Sequence, residues 1–404
     1  MDAAADKNKI SYPTFRQIAI FAPYFLIFPN YMSFQKIRVG VVFGGRSSEH
    51  EVSLRSAQSV MDAIDKNRFE VVPVGISKEG KWLLHPQALS LLVAASNPAM
   101  LPAAFVAEHG HPALAMEAVE DSAILPTTRQ LEPIDVFFPV LHGPYGEDGT
   151  IQGMLEMAGV PYVGTGVLAS AVGMDKIVFK DVMKANDIPV APYWHCLRSR
   201  WAREPEQVLD EVEKALGYPV FTKPPNMGSS VGVCKCRDRA ELRKGMEEAA
   251  RFDRKILVEA AVPKAREIEV SVLGNDDPIA SVPGEIVPNN EFYDYAAKYL
   301  GSADNDSKLL IPAPLSEARS AEIRALAIRA FRAIDGSGLS RADFLMDGDT
   351  EALYINEVNT MPGFTSISMY PKMWAATGLG YSDLITKLIE LALERHQDRA
   401  KTEV

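Results

Sequence analysis

Two short stretches, SRADFLMDG (340–348) and EALYINEVNT (351–360), carry an unusual density of oxygen ligands. Both read as β-strands around a DGDTE turn, and in a strand the side chains at i and i+2 share a face. Arg341 and Asp343 therefore share a face, as do Glu357 and Asn359, while Leu353, Ile355 and Val358 can serve packing. Burying such polar groups without partners is costly, so something cationic is expected there. Asp343, Glu357 and Asn359 offer hard oxygens, a donor set that suits Mg²⁺ rather than zinc. The plainer alternative is an ion-paired sheet surface with Arg341 between carboxylates. Magnesium held by few carboxylates usually shares substrate phosphates, so the metal reading requires a nucleotide nearby.

The middle of the chain supplies anion-binding chemistry. Lys223 ends a strand just before PPNMGSSVGV (224–233), and a Gly/Ser turn can set backbone N–H groups and hydroxyls against phosphate oxygens. Lys176, at the start of an amphipathic segment, could reach the same anion. Alone, GSS is an ordinary hairpin turn; its place after a strand lysine and upstream of the carboxylate strands favours phosphate. There is no GxxxxGK[ST] loop, so the phosphate must be held between sheet elements. In NNEFYDYAAKYLG (289–301), Tyr293, Tyr295 and Tyr299 stand beside Lys298. That grouping suits a lid over a small polar substrate; the alternative is an amphipathic helix using its tyrosines as partial core.

These side chains need elements to hold them. KIRVGVVFG (36–44), the helix-periodic VSLRSAQSVMDAI (52–64) and FEVVPVGI (69–76) form a β-loop-α-β opening, the start of a doubly wound α/β domain. Ser48 and Glu51 have the spacing of a capping box. Gly44-Gly45 is not a GxGxxG fingerprint, which disfavours a nicotinamide dinucleotide domain. Residues 88–128 read as an insertion holding a helix or small hairpin. IDVFFPVLHG (134–143) is a buried parallel strand ending at His142, and TIQGMLEMAG (150–159) a short helix whose start could receive an anion. From MDKIVFKDVMKAN (174–186) onward the pattern is α+β, with helices at 314–334 and 381–396 and no internal repeat. The divisions expected are an N-terminal extension (1–35), an α/β domain (36–168), a central subdomain (169–265) and a C-terminal subdomain (266–404).

With 404 residues, 47% of them hydrophobic, the chain is globular. A net charge of −11 argues against a nonspecific nucleic-acid binder. Cys196, Cys234 and Cys236 are too few for a disulfide framework, and CKC (234–236) reads as strand residues because no second ligand pair follows. The apolar run IAIFAPYFLIF (18–28) is too short to span a bilayer, and no cleavage pattern clearly follows it. It is expected to lie outside the main fold.

Taken in order, GGRSSEHEVS (44–53), LHGPYGEDGTIQG (141–153), MDK (174–176), KPPNMGSSVG (223–232), EFYDYAAKY (291–299), SRADF (340–344) and NEVNTMPGFTSISMYP (356–371) resemble the D-alanine–D-alanine ligase family. That family belongs to the ATP-grasp enzymes. The resemblance runs from about residue 36 to the end. The extra length lies at 1–35 and 88–130, with a smaller departure near 196–204. It implies an α/β wound domain followed by an α+β ATP-grasp fold, ATP as cosubstrate, and two Mg²⁺ ions, or Mn²⁺, on Asp343, Glu357 and Asn359. By the same resemblance Glu49 receives the ammonium of the first D-alanine, with Ser229 and Tyr299 in a network tying the lid to the first domain. His142 lies near the substrate carboxylates. Lys176 and Lys223 meet nucleotide phosphates, Glu267 the ribose, Glu259 the adenine region and Lys298 the γ-phosphate. Arg341 and the Gly363 N–H form an oxyanion hole, and Ser368 and Met369 seat the second D-alanine. The resemblance further implies a cytoplasmic homodimer in peptidoglycan precursor synthesis, with no nucleic-acid partner and no stable membrane insertion. Three rivals stand beside it: another ATP-grasp carboxylate–amine ligase, a D-alanine–D-lactate ligase, which Tyr299 disfavours, and a non-enzymatic binding module. Met32, just before the first convincing strand, is the expected translation start; recovering peptides of residues 1–31 from the native protein by mass spectrometry would overturn it.

Overall fold

The strand Ile37–Gly44 is flanked on both sides by parallel partners, Phe69–Ile76 and Val136–Val140. A strand so placed is covered on both faces, which is why it reads as a nearly unbroken aliphatic run. Val39, Val41, Val42 and Phe43 are fully buried. Trp82–Leu84 adds an antiparallel edge, giving one four-stranded sheet. The computed structural model describes residues 36–93, 103–108, 111–117, 128–130, 133–288 and 307–402. The apolar run 18–28 and the tyrosine-rich segment with Lys298 and Tyr299 lie outside the described residues.

The helix after the first strand is His50–Ala63, with Glu49 as N-cap. This corrects the expected capping box: Glu51 pairs with Lys78 at 2.8 Å. The insertion holds both expected features, a helix Ala88–Val93 and a hairpin Ala103–Glu108/His111–Glu117, with Thr128–Gln130 as a third strand.

The central sheet has the order Cys234–Cys236, Val220–Lys223, Lys255–Ala260, Tyr193–Leu197, all antiparallel. Its core includes Val208, Leu209 and Val212 from helix Pro205–Leu216 and Leu242, Met246 and Ala249 from helix Arg239–Phe252. Cys196 and Cys236 are buried in that core as small apolar residues. The departure near 196–204 is the end of the strand plus a short helix, Arg198–Arg203.

The last large sheet runs Lys308–Leu310, Gly284–Val287, Arg266–Gly274, Gly338–Met346, Leu353–Asn359, with Ile279–Ala280 also paired to Arg266–Gly274. Its two faces differ in chemistry. Ile268, Val270, Val272, Ala342, Phe344, Ile355 and Val358 share a core with Ile323, Ala327, Ala330 and Phe331 of helix Glu317–Ala333. The opposite face carries the polar residues.

Strict alternation along Leu353–Asn359 would have put Glu357 and Asn359 on the same face as Leu353 and Ile355. The register shows how that conflict is avoided. Asp343 faces Glu357 and Phe344 faces Ile355, so Asn356 is an extra residue absorbed as a bulge. Leu353 and Ile355 before it, and Val358 after it, all reach the core, while Glu357 and Asn359 turn to the polar face.

The final helix, Tyr381–Arg399, returns to the beginning of the chain. Leu384, Ile385, Leu388 and Ile389 are fully buried in one cluster with Val39, Val41, Phe138 and Leu54. Arg395 locks this docking: it donates to the carbonyls of Gly164 and Tyr162 (3.2 Å) and to Ser337 Oγ (2.7 Å), with its guanidinium 4.3 Å from the Tyr162 ring centroid. Among the described residues no helix is long and apolar enough to cross a membrane. Arg395→Met keeps the aliphatic volume but strands those acceptors, and a hydrogen bond to a charged group contributes roughly 1.5–3 kcal/mol. The variant should lose on the order of 2 kcal/mol in urea unfolding; an unchanged midpoint and slope would show that the docking rests on the apolar contacts alone.

Candidate active site

On the polar face of the last sheet the residues fall into rows. Glu269, Asp343 and Glu357 stand opposite one another across three adjacent strands, and Ser271, Arg341 and Asn359 form the next row. Arg341 grips Asp343 in a bidentate pair, Nε at 2.7 Å and Nη2 at 2.6 Å, and its Nε is 3.0 Å from Glu269 Oε2. Burial alone would lower its pKa, but the charges of Asp343 and Glu269 prevail and hold the guanidinium above its ordinary value. Asp343, a candidate metal ligand, is thus also part of the ion-paired surface. Glu269 belongs to it although sequence reasoning passed it over.

Glu357 is held by Lys176 at 3.2 Å. Burial opposes the ammonium, yet the Glu357 charge raises its pKa overall. Lys176 is the first residue of helix Lys176–Ala185, whose N-cap Asp175 accepts from the N–H groups of Ile177 and Val178. Its Nζ also donates to the Met227 carbonyl, 3.1 Å away, so it joins the Gly/Ser turn to the carboxylate strand. A hard divalent cation fits this donor set by chemistry and register, two carboxylates directly opposed with a carboxamide one row on. Among the described residues, however, no three His, Cys, Asp or Glu groups converge as a ready-made cage. Arg341 and Lys176 occupy the carboxylates instead.

Glu49 sits across the cleft. It accepts from Ser229 Oγ, and two glycines give it room: a Cβ on Gly143 or on Gly228 would come within 2.7 or 2.6 Å of its Oε2. Gly143 also has φ of +74°. Ser229 and Ser230 have φ of 50° and 59°, left-handed values that non-glycine residues adopt only where the surroundings enforce them.

His142 lines the cleft with both ring nitrogens bonded to protein groups. Its Nδ1 is 3.0 Å from the Met361 carbonyl, so that nitrogen carries the proton, and Nε2 accepts from Ser56 Oγ at 3.2 Å. Burial lowers its pKa, which keeps the ring neutral. Both nitrogens are committed to the protein, making His142 a positioning residue. Glu147, which sequence reasoning missed, completes the grip. It accepts from the Gly143 N–H at 2.6 Å and the Met361 N–H at 3.3 Å. The first domain therefore holds both backbone polar groups of Met361, two residues before Gly363. Burial, then the nearby Glu49 charge, raises the Glu147 pKa to about 8.

Lys223 and Glu259 meet in the central sheet. Glu259 Oε2 contacts Lys223 Nζ, while Oε1 is 2.6 Å from Nζ of Lys180, one helical turn beyond Lys176. Despite burial, the two ammonium groups hold the Glu259 carboxyl well below the usual range. Glu267 lies opposite Ile286 and Leu345 on neighbouring strands.

A cavity of about 850 Å³ unites most of these groups. Glu49, His142, Glu147, Lys176, Ser229, Glu269, Arg341, Glu357, Asn359, Gly363, Ser368 and Met369 line it. Ser368 caps helix Met369–Thr377 and accepts from the Thr365 N–H at 3.1 Å, fixing the loop that follows Gly363. Asp343, Lys223, Glu259 and Glu267 are not among its lining residues, Asp343 being held by Arg341. Such a cleft can bind an ammonium at one wall and anions at the other.

Family models match both parts of the chain. The model for the D-ala D-ala ligase N-terminus matches residues 38–165 and that for the D-ala D-ala ligase C-terminus residues 182–390. The chain is 54% identical over 366 residues to a D-alanine–D-alanine ligase from Heliobacterium modesticaldum, covering 91% of this chain and 97% of the relative. It is 49% identical to one from Bacillus cytotoxicus, covering 91% and 98%. Among solved structures, the D-alanine–D-alanine ligase from Coxiella burnetii superimposes with a TM-score of 0.75 at 33% identity, covering 91% of this chain and 96% of that one. The VanG D-Ala:D-Ser ligase from Enterococcus faecalis gives 0.77 at 33%, covering 89% and 100%. The chain belongs to the D-alanine–D-alanine ligase family of ATP-grasp enzymes.

Proposed function

We propose that this protein joins two D-alanine molecules into D-alanyl-D-alanine, driven by ATP and passing through a D-alanyl phosphate. The observation that carries the reading is the single cavity in which Glu49, held by Ser229 between two glycines, faces Lys176, Arg341 and Glu357. One wall suits the ammonium of an amino acid and the other its carboxylate and a phosphate.

A carboxylate is a poor electrophile, so phosphorylation by ATP must precede attack by the second amine. Lys176 and Lys223 offer positive charge to the moving phosphoryl group. Glu267 and Glu259 serve the ribose and adenine, and Lys298 of the tyrosine segment the γ-phosphate. Asp343, Glu357 and Asn359 would hold Mg²⁺, two ions, or Mn²⁺; the chemistry supplied there is neutralisation of phosphate charge. When the amine adds to the acyl phosphate, the carbonyl oxygen becomes an oxyanion. Arg341 has Nε and Nη2 committed to Asp343, and its Nη1 has no acceptor among the described residues. Nη1 and the Gly363 N–H are the donors for that oxyanion. His142 and Glu147 hold Met361 so that the Gly363 turn is set in advance. Ser368 and Met369 seat the second substrate, and Tyr299 joins Ser229 and Glu49 to exclude water. We further propose that the chain works as the three bodies 36–168, 169–265 and 266–404, as a cytoplasmic homodimer.

One structural relative is named for D-Ala:D-Ser ligation, which favours a second reading with a different second substrate. Phosphate release from ATP with D-alanine alone, or with D-alanine plus D-serine, D-lactate or L-alanine, followed by mass analysis of the product, decides between them. D-alanine alone should suffice; a requirement for another partner would overturn the first reading. Glu49→Gln should raise KM for the first D-alanine roughly 10- to 100-fold, the range for losing a charge-assisted bond, with KM for ATP nearly unchanged. Loss of ATP binding with unchanged D-alanine dependence would overturn that role.

Glu147 gives a pH signature. Its pKa is raised in the folded state to about 8, so its contribution is complete below the ordinary carboxylate range and is lost as pH rises through about 8. Wild-type thermal stability should therefore fall between about pH 5 and 8 by more than that of Glu147→Gln, which is neutral throughout, and level off above pH 8. Parallel curves with a constant offset would mean that Glu147 is ionised at neutral pH.

A further inference from the structure

Lys180 lies on helix Lys176–Ala185 with its ammonium almost wholly buried, side-chain exposure 1%. A lysine is rarely placed so deep without a compensating charge. Its Nζ is 2.6 Å from Glu259 Oε1, in ion contact but off the hydrogen-bond directions, and 5.9 Å from the Tyr193 ring centroid. The other oxygen of Glu259 contacts Lys223, whose Nζ is also 3.4 Å from Asn356 Oδ1 on the bulge beside Glu357. One buried carboxylate thus stands between two lysine amines; burial lowers the Lys180 pKa, Glu259 at 2.6 Å opposes that shift, and the charges of Lys223 and Lys176 add to it.

Two ammonium groups on one carboxylate repel each other, and a single buried pair would have been neutral. The second cation needs a reason. If Lys223 were the sole partner of Glu259, drawing it onto a phosphate would abandon a buried, uncompensated charge, a strongly unfavourable step. With Lys180 fixed on the opposite oxygen, Glu259 stays neutralised whichever way Lys223 turns. We propose that Lys180 is the resident counter-ion of Glu259 and thereby releases Lys223 to an incoming nucleotide phosphate. Lys180 is a positioning residue, outside the lining of the main cavity, yet it sets how strongly ATP is held. The inference rests on the reading above that Lys223 meets ATP.

The test is steady-state kinetics of the full-length protein with ATP and D-alanine varied in turn. Lys180→Met should raise KM for ATP roughly tenfold, equivalent to about 1.4 kcal/mol, while KM for D-alanine stays within about twofold. Lys180→Arg should restore most of the affinity. Lys180→Gln, polar but uncharged, should show the same ATP-specific loss and serves if the Met variant does not fold. The effect vanishes in a Glu259→Gln background. There Lys180 has no carboxylate to neutralise, and adding Lys180→Met should cause no further loss of ATP affinity. A purely structural pair predicts instead a loss of stability with both KM values unmoved, and that result overturns the proposal. Lys223→Met separates the two levels. Unchanged ATP binding in that variant overturns the assignment of Lys223 and the inference with it. Weakened ATP binding there, with normal KM for ATP in Lys180→Met, overturns the inference alone.

Discussion

Charge neutralisation of acids in and beside the cleft governs this architecture. The carboxylates of Glu269, Asp343, Glu357 and Glu259 lie on paired strands, and side-chain cations hold all four. Arg341 is the hub of the first group, because one planar guanidinium serves two acids from adjacent strands. An unneutralised acid at any of these places would shift its pKa or loosen the sheet. The cations that make the site foldable are also those suited to phosphate and to a developing oxyanion. Folding and chemistry therefore draw on the same charges, and the donors need little rearrangement when charge develops.

Backbone detail gives these charges their direction. The bulge at Asn356 lets an otherwise core-facing strand present Glu357 and Asn359 to the cleft without surrendering Ile355 or Val358 to solvent. The final helix shares a core with the opening sheet, so the loops ending in His142 and Glu147 are carried to Met361. Phe364 packs against Phe138 with ring centroids 5.8 Å apart, which anchors the chain just past Gly363. Residues far apart in sequence are thus fixed to one another by hydrogen bonds and ring packing on both sides of Gly363.

Much of this was legible in the sequence wherever a local pattern decides the outcome. Aliphatic runs marked the wound sheet, period-two spacing paired Arg341 with Asp343, and 3–4 spacing marked helix Glu317–Ala333. The assignments that failed depend on contacts between distant residues. Glu51 fits a capping box locally, but Lys78 takes its carboxylate. The bonds of His142 to Met361 and Ser56 likewise join distant residues and leave no local signal. Glu147 and Glu269 were passed over because one deciding partner of each, the Met361 N–H and Arg341, comes from a distant part of the chain. Lys180 could have been noticed as a lysine on the apolar side of its helix, with Ile177 and Met183 both buried around it.

Lys176 and Lys223 are unequal in what their departure would leave behind. Lys223 can leave Glu259 without exposing a charge, since Lys180 remains on the other oxygen. Lys176 leaving Glu357 takes away a positive charge where the residue across the strand is another acid, Asp343. Departure from Glu357 therefore favours a replacement cation at that carboxylate, and the adjacent Asn359 adds a neutral oxygen suited to a hard ion. No such replacement is called for at Glu259. The same physical rule, that a buried acid keeps a counter-charge at every stage, explains why one acid comes with a second lysine and the other lies beside further oxygen ligands.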